Sequence, residues 1–425
     1  MLVDRSALTL AAMIRDRRVS SVEVVQAHLD RIEARNPVIN ALVAIADDVL
    51  DQATALDRAL AQGHLIGPFH GVPFTAKDVI ETADLPTTLG RPELARNRPM
   101  ADATVVRRMR EAGGILLGKT NCPPGGGGGD TANELHGRTS NPYDPARTPA
   151  GSSGGEAAAI ASGMSPCGIG SDSGGSLRMP AHVCGIATLK PTAGRIPVSG
   201  LLDDDGPFGP MSDPRTQPGP MSRSVDDLAA MLSVLAGPDG RDAGALPVPM
   251  GDPGAVEVAR LRVLLQVSDV VADPAPDVER AVRDAAGVLA EAGALVTEGR
   301  LPPGGHELTE RVWDVGGDDD TGAAVYRVLR DWDRYRSTML EALEDVDLVL
   351  TPVARHAAVR PGAEISWRYT TPHSLTGWPC VVVRAGSSGP LPIGVQVVAG
   401  PWQDHVALAA AAVIERALGG WRPPP

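Results

Sequence analysis

Two neighbouring stretches decide how this chain reads: Gly151-Ser152-Ser153-Gly154-Gly155-Glu156-Ala157-Ala158-Ala159-Ile160-Ala161-Ser162, and then Gly168-Ile169-Gly170-Ser171-Asp172-Ser173-Gly174-Gly175-Ser176. Each sets hydroxyls among glycines. Alanine has the strongest helix propensity, so Glu156 to Ser162 is expected to be helical, whereas 168–176 reads as a second glycine and serine loop. Working outward, Gly71-Val72-Pro73-Phe74-Thr75-Ala76-Lys77-Asp78-Val79-Ile80 reads as a short buried strand running into a loop, which sets Lys77 on apolar ground. Residues 121–155 form a long irregular stretch, and loops of that length are usually functional or disordered. Ser20-Ser21-Val22-Glu23 has the form of a capping box, with Val22, Val25, Leu29 and Ile32 following on one helical face. Helices are expected near 45–62, 103–112, 306–346 and 404–417. Strands are expected at 115–117 and near 348–351, 380–384 and 393–398, with a strand, a helix and a strand between about 255 and 300. This alternation predicts an α/β fold in which helices cover a central sheet.

Composition excludes some partners. The 425 residues carry a formal charge of -13, which argues against nucleic acid or an anionic membrane as a main partner, because both need clustered Lys and Arg. Cys122, Cys167, Cys184 and Cys380 lie far apart, so neither a disulfide framework nor a zinc knuckle is expected. The nine His form no ligand-spaced group, so no metal is expected either. Nor is there an apolar run near the N-terminus long enough for a signal or a span, and the expected location is the cytoplasm. Of 39 basic residues only Lys77, Lys119 and Lys190 are lysines. A chain that uses Arg elsewhere keeps Lys where a compact amine able to lose its proton is needed.

Three patterns compete for the chemistry. Gly113-Gly114-Ile115-Leu116-Leu117-Gly118-Lys119-Thr120 spells a phosphate-binding loop, but a helix precedes it, its interior favours a strand, and prolines follow. Gly151-Ser152-Ser153-Gly154-Gly155 spells a nucleophile elbow, which would make Ser153 the nucleophile of an esterase served by His306, His356, His373 or His405. The third joins Lys77 to the hydroxyls of both glycine and serine stretches.

On that third pattern the chain resembles the amidase signature family. The resemblance runs through Gly71 to Asp78, Gly118-Lys119-Thr120-Asn121, Asn141-Pro142-Tyr143-Asp144, Arg178-Met179-Pro180-Ala181, Leu189-Lys190-Pro191-Thr192, Gly219-Pro220-Met221-Ser222 and Leu391-Pro392-Ile393-Gly394. It implies one large domain over residues 1–425, with a mixed central β-sheet covered on both faces by α-helices. The catalytic core would span about 70–235, and residues 340–425 would add sheet and substrate pocket. It implies Lys77 as the base, Ser152 as a bridging serine on a cis peptide, and Ser176 as the nucleophile, 24 residues from Ser152 as in the family. Ser153 would be a supporting hydrogen-bonding residue. Backbone N–H groups of Ser173, Gly174, Gly175 and Ser176 would form the oxyanion hole, and the backbone near Gly126 and Gly127 would bind the substrate amide.

The chemistry suits these residues. A serine hydroxyl is a weak nucleophile until a base takes its proton, and lysine can do so only when neutral. Burial among Val72, Phe74, Val79 and Ile80 would disfavour the ammonium, while Asp78 would favour it if it faced Lys77, so Asp78 is expected to point elsewhere. A bridging hydroxyl both donates and accepts, which suits return of a proton to the departing amine.

The chain departs from the family pattern in two places. Ala150 stands where a glycine usually precedes the serines, and Pro124 with Gly125 to Gly129 replaces larger channel-lining side chains. Trp313, Trp332, Trp367 and Trp378 lie in the half that supplies the family's acyl pocket.

The expected activity is hydrolysis of a small carboxamide or hydrazide without a cofactor. The only partner expected is the small-molecule amide; oligomeric state is open, a homodimer included. The alternatives are the Ser153 esterase and a non-catalytic or transamidation subunit of the same fold.

Overall fold

The N-terminal capping box forms. Ser20 Oγ accepts from the Glu23 N–H at 3.0 Å, the Glu23 carboxylate accepts from the Ser20 N–H at 2.7 Å, and the helix Ser21–Ile39 follows. The computed structural model of the chain describes residues 1–203, 206–207, 215–269, 273–315 and 321–425. Among these, eleven strands build one sheet: β1 (Leu42–Ile45), β2 (Pro73–Lys77), β3 (Ile115–Thr120), β4 (Cys167–Asp172), β5 (Ala187–Lys190), β6 (Gln217–Ser222), β7 (Arg262–Leu265), β8 (Leu295–Glu298), β9 (Leu348–Pro352), β10 (Cys380–Ser388) and β11 (Leu391–Ala399). Their order is β1-β3-β2-β4-β6-β5-β10-β11-β9-β7-β8. The sheet is mixed: β2 is parallel to β3 and β4, β7 is parallel to β8 and β9, and the other neighbours are antiparallel. Every residue of β2, β3 and β4 is buried, as expected of strands covered by helices on both faces.

Several boundaries differ from the sequence expectation, each for a physical reason. Residues 168–176 are not all loop, because Cys167–Asp172 is a central strand and only 173–176 turns. Its glycines answer to packing. A methyl at Gly168 would collide with the Glu156 carboxylate, and one at Gly170 would meet Leu177 Cδ2 at 2.7 Å. β6 also went unforeseen, since Pro218 and Pro220 argue against a central strand. They are tolerated because they sit two apart and turn their nitrogens to one edge, where β5 pairs only with Met221 and Ser222. The helix expected over 45–62 spans Val49–Ala61 and is preceded by β1, and β3 runs on to Thr120.

Candidate active site

Parallel neighbours β2 and β4 end side by side, with Ala76 opposite Ile169. This register carries Lys77 and Ser171 to the same end of the sheet. Lys77 Nζ lies 2.6 Å from Ser152 Oγ and 2.9 Å from Ser171 Oγ, and all three side chains are buried. Burial pushes the Lys77 amine down to about 8, against the opposing pull of Cys122 and Asp172. Ser152 arrives on the loop that enters the helix Gly154–Ala161, and the Gly151–Ser152 peptide is cis. Ala150, where the family pattern has glycine, takes φ 58°, so the left-handed turn forms with its methyl in place.

Asp78 turns away from Lys77. Its carboxylate accepts from the N–H and hydroxyl of Thr88 and lies 3.4 Å from Lys119 Nζ. Lys119 further donates to Ile80 O at 2.5 Å and Thr87 Oγ1 at 2.8 Å, and Lys190 donates to Pro191 O at 3.0 Å. These two lysines hold backbone, and the stretch that spells a phosphate loop contains the buried strand β3.

Ser153 is buried and tied to both sides of the site: its Oγ donates to Ser171 O at 3.1 Å and its N–H donates to Ser176 O at 3.1 Å. Its hydroxyl meets no histidine among the described residues. Glu156, in the first turn of the same helix, accepts from Thr75 Oγ1 of β2 and from Thr120 Oγ1 of β3 at 2.8 Å. Fully buried, its carboxyl is pushed up to about 8.

The turn Ser173–Ser176 is pinned through its carbonyls. Gly174 O accepts from Thr370 Oγ1 at 2.6 Å and Gly175 O from the Met179 N–H at 2.8 Å. A trans peptide points its N–H opposite its carbonyl, so the N–H groups of Gly175 and Ser176 face away from those partners. Beneath the turn, Asp172 accepts from Arg178 Nη2 at 2.9 Å, Arg178 Nε at 3.0 Å and the Leu177 N–H at 3.0 Å. Arg178 also donates to Thr370 O, Gln396 Oε1 and Ser374 Oγ, and this ion pair has no solvent exposure.

A cavity of about 390 Å³ opens above this floor. The glycine run 125–128, Ser173, Gly174 and Ser176 line it together with Trp313, Trp367, Asp203 and Arg215. Half-buried Ser173 and Ser176 both line this space, Ser173 Oγ being hydrogen-bonded to Thr216 Oγ1, whereas Ser152 and Lys77 lie buried below it. Gly126 backs onto the amine, since a methyl there would sit 3.8 Å from Lys77 Nζ, whereas one at Gly127 would meet nothing within 4 Å. Trp332 and Trp378 are core residues.

The structure thus gathers Lys77, Ser152, Ser153, Ser173, Gly174, Gly175, Ser176, Gly126 and Gly127 in one place. Sequence reading missed Ser171, whose meeting with Lys77 depends on the register of β2 and β4, and Glu156, quoted only as part of a motif. It also missed Thr370, Asp203 and Arg215, whose sequence surroundings give no signal. Among the described residues no group of three metal-type side chains occurs, and no helix is long and apolar enough to cross a membrane.

The sequence profile of the family described as Amidase matches residues 23–316 and 317–408. This chain belongs to the amidase signature family. It is 34% identical over 467 residues to the indoleacetamide hydrolase of Bradyrhizobium diazoefficiens, covering 97% of this chain and 86% of that protein. It is 33% identical to a glutamyl-tRNA(Gln) amidotransferase subunit of Chloroflexus aurantiacus, over 94% of this chain and 93% of that one. The native peptide amidase from Stenotrophomonas maltophilia matches with a TM-score of 0.86 and 26% identity, over 99% and 98% of the two chains. Amidase signature enzymes hydrolyse amides, and the large mixed sheet flanked by helices is their fold.

Proposed function

We propose that this amidase hydrolyses the C–N bond of a small carboxamide or hydrazide through an ester on Ser176. The observation that carries the reading is the buried, pKa-lowered amine of Lys77 in contact with Ser152 Oγ, directly beneath the cavity that Ser176 lines. Ser176 Oγ attacks the carbonyl carbon while its proton passes to Ser152 and the Ser152 proton passes to neutral Lys77. The oxyanion is held by the backbone N–H groups of Ser173, Gly174, Gly175 and Ser176, whose turn is fixed before substrate arrives. The Lys77 ammonium then returns a proton through Ser152 to the departing nitrogen, the C–N bond breaks, and water repeats the sequence on the ester to release carboxylate. Ser153 holds the loop, and the backbone at Gly126 and Gly127 receives the amide.

Ammonia or amine release from a panel of aryl, alkyl and aminoacyl amides tests this. Ser176→Ala and Lys77→Ala are expected to lose at least about a thousandfold in kcat/KM, in line with removal of a nucleophile or base. Parental rates in either variant overturn the proposal. The 33% identity to an amidotransferase component supports a second reading, a role in transamidation. Turnover of a simple amide by the purified single chain rejects it.

A further inference from the structure

Trp313 is 45% exposed, unusual for so large an apolar side chain, and it lies at the cavity that Ser176 lines. Its position is fixed by contact. A methyl at Gly174 would sit 2.8 Å from Trp313 Cζ2, one at Gly175 3.0 Å from Trp367 Cε3, and one at Gly129 3.4 Å from Trp367 Cζ2. Both indoles therefore close directly on the backbone of the Gly174–Gly175 turn, which side chains there would prevent. The Arg215 guanidinium, which also lines the cavity, packs over Trp313, 5.4 Å from its ring centroid, and over Trp332 at 5.8 Å, so the exposed indole is held against a core tryptophan. The facing wall is the glycine run, where Gly127 offers no side chain and its absent methyl would meet nothing. A slot that sets two indoles and bare glycine backbone around a cavity, with Asp203 and Arg215 as its charged lining, favours a flat ring.

Resting on the proposed function, we propose that Trp313 and Trp367 select amides whose acyl group carries an aromatic ring, with the space beside Gly127 admitting that ring. The acyl group is the part concerned, because in a primary carboxamide it alone carries a substituent large enough to fill the slot. Trp313 and Gly127 are thus specificity-determining residues.

The test compares kcat/KM for phenylacetamide and propionamide in the parent, Trp313→Ala and Gly127→Val. Gly127 has an extended backbone (φ -102°, ψ 145°) that valine adopts readily, and Trp313 is half exposed, so neither change attacks the core. The aryl-to-alkyl ratio is expected to fall at least tenfold in each variant. Ratios within threefold of the parent in both overturn the selection by these residues. Binding to the Ser176→Ala chain, followed by tryptophan fluorescence, judges the same point without chemistry. There phenylacetamide is expected to bind at least tenfold tighter than propionamide, and Trp313→Ala to cancel the difference. Equal affinities overturn this inference even if turnover upholds the function. Absence of turnover in the parent overturns the function while the binding result still decides the slot.

Discussion

Replacing Lys77 by methionine should make the chain more stable at neutral pH while it abolishes turnover. In the unfolded chain the amine titrates at its ordinary 10.5 and in the fold at about 8, so the fold binds fewer protons between these values. Below pH 8 the full cost of holding an ammonium out of water is present, about 3 kcal/mol at 1.36 kcal/mol per pH unit. The cost disappears as pH rises from 8 to 10.5. Methionine fills a similar volume without charge, but it leaves the hydroxyls of Ser152 and Ser171 without their nitrogen partner, a loss of about 2 kcal/mol for the two hydrogen bonds. The net expectation is a gain of about 1 kcal/mol at pH 7, reversing near pH 10. Urea unfolding of parent and variant at both pH values measures it, the difference cancelling titrations common to the two. A variant less stable than the parent at pH 7, or a difference that does not change with pH, would refute the reasoning that Lys77 is a desolvated amine.

Activity should follow the same amine. The neutral fraction of a group titrating near 8 rises from about one tenth at pH 7 to about nine tenths at pH 9, so kcat/KM for an uncharged amide should rise close to tenfold; a flat profile contradicts Lys77 as base. Arg178→Ala should destabilise the chain by about 3–5 kcal/mol, because it strands the buried Asp172 carboxylate, and Asp172→Asn combined with Arg178→Met should recover part of the loss in thermal unfolding. Glu156→Gln should be tolerated. The raised carboxyl stabilises the fold fully below 4.5 and loses that contribution as pH climbs through about 8, so unfolding curves should show the Gln variant gaining on the parent over that range.

The sequence spelled out the site better than the sheet around it. Lys77, Ser152 and Ser176 were singled out through the resemblance to the amidase signature family, and the structure brings together the stretches that carry them. β4 was misread because Gly168 and Gly170 look like loop punctuation, yet they are glycines so that the Glu156 carboxylate and Leu177 can approach. β6 was hidden by Pro218 and Pro220, which are harmless because the hydrogen-bonded pairing with β5 is confined to Met221 and Ser222. Ser171 was invisible because its meeting with Lys77 depends on the register of two strands far apart in sequence. Thr370 and Arg215 reach the site from distant loops, and no local pattern announces such a meeting. The box at Ser20 and Glu23 succeeded for the opposite reason, since every contact in it lies within four residues.

All three lysine side chains are 1% exposed or less, and the remaining 36 of the 39 Lys and Arg side chains are guanidinium groups. Reagents that acylate amines, whether fluorescent esters, lysine-directed cross-linkers or enzymes that attach acetyl groups or ubiquitin, therefore find no accessible ε-amino group on the native fold. Labelling at a lysine would report that the chain has opened, which makes it a direct gauge of unfolding.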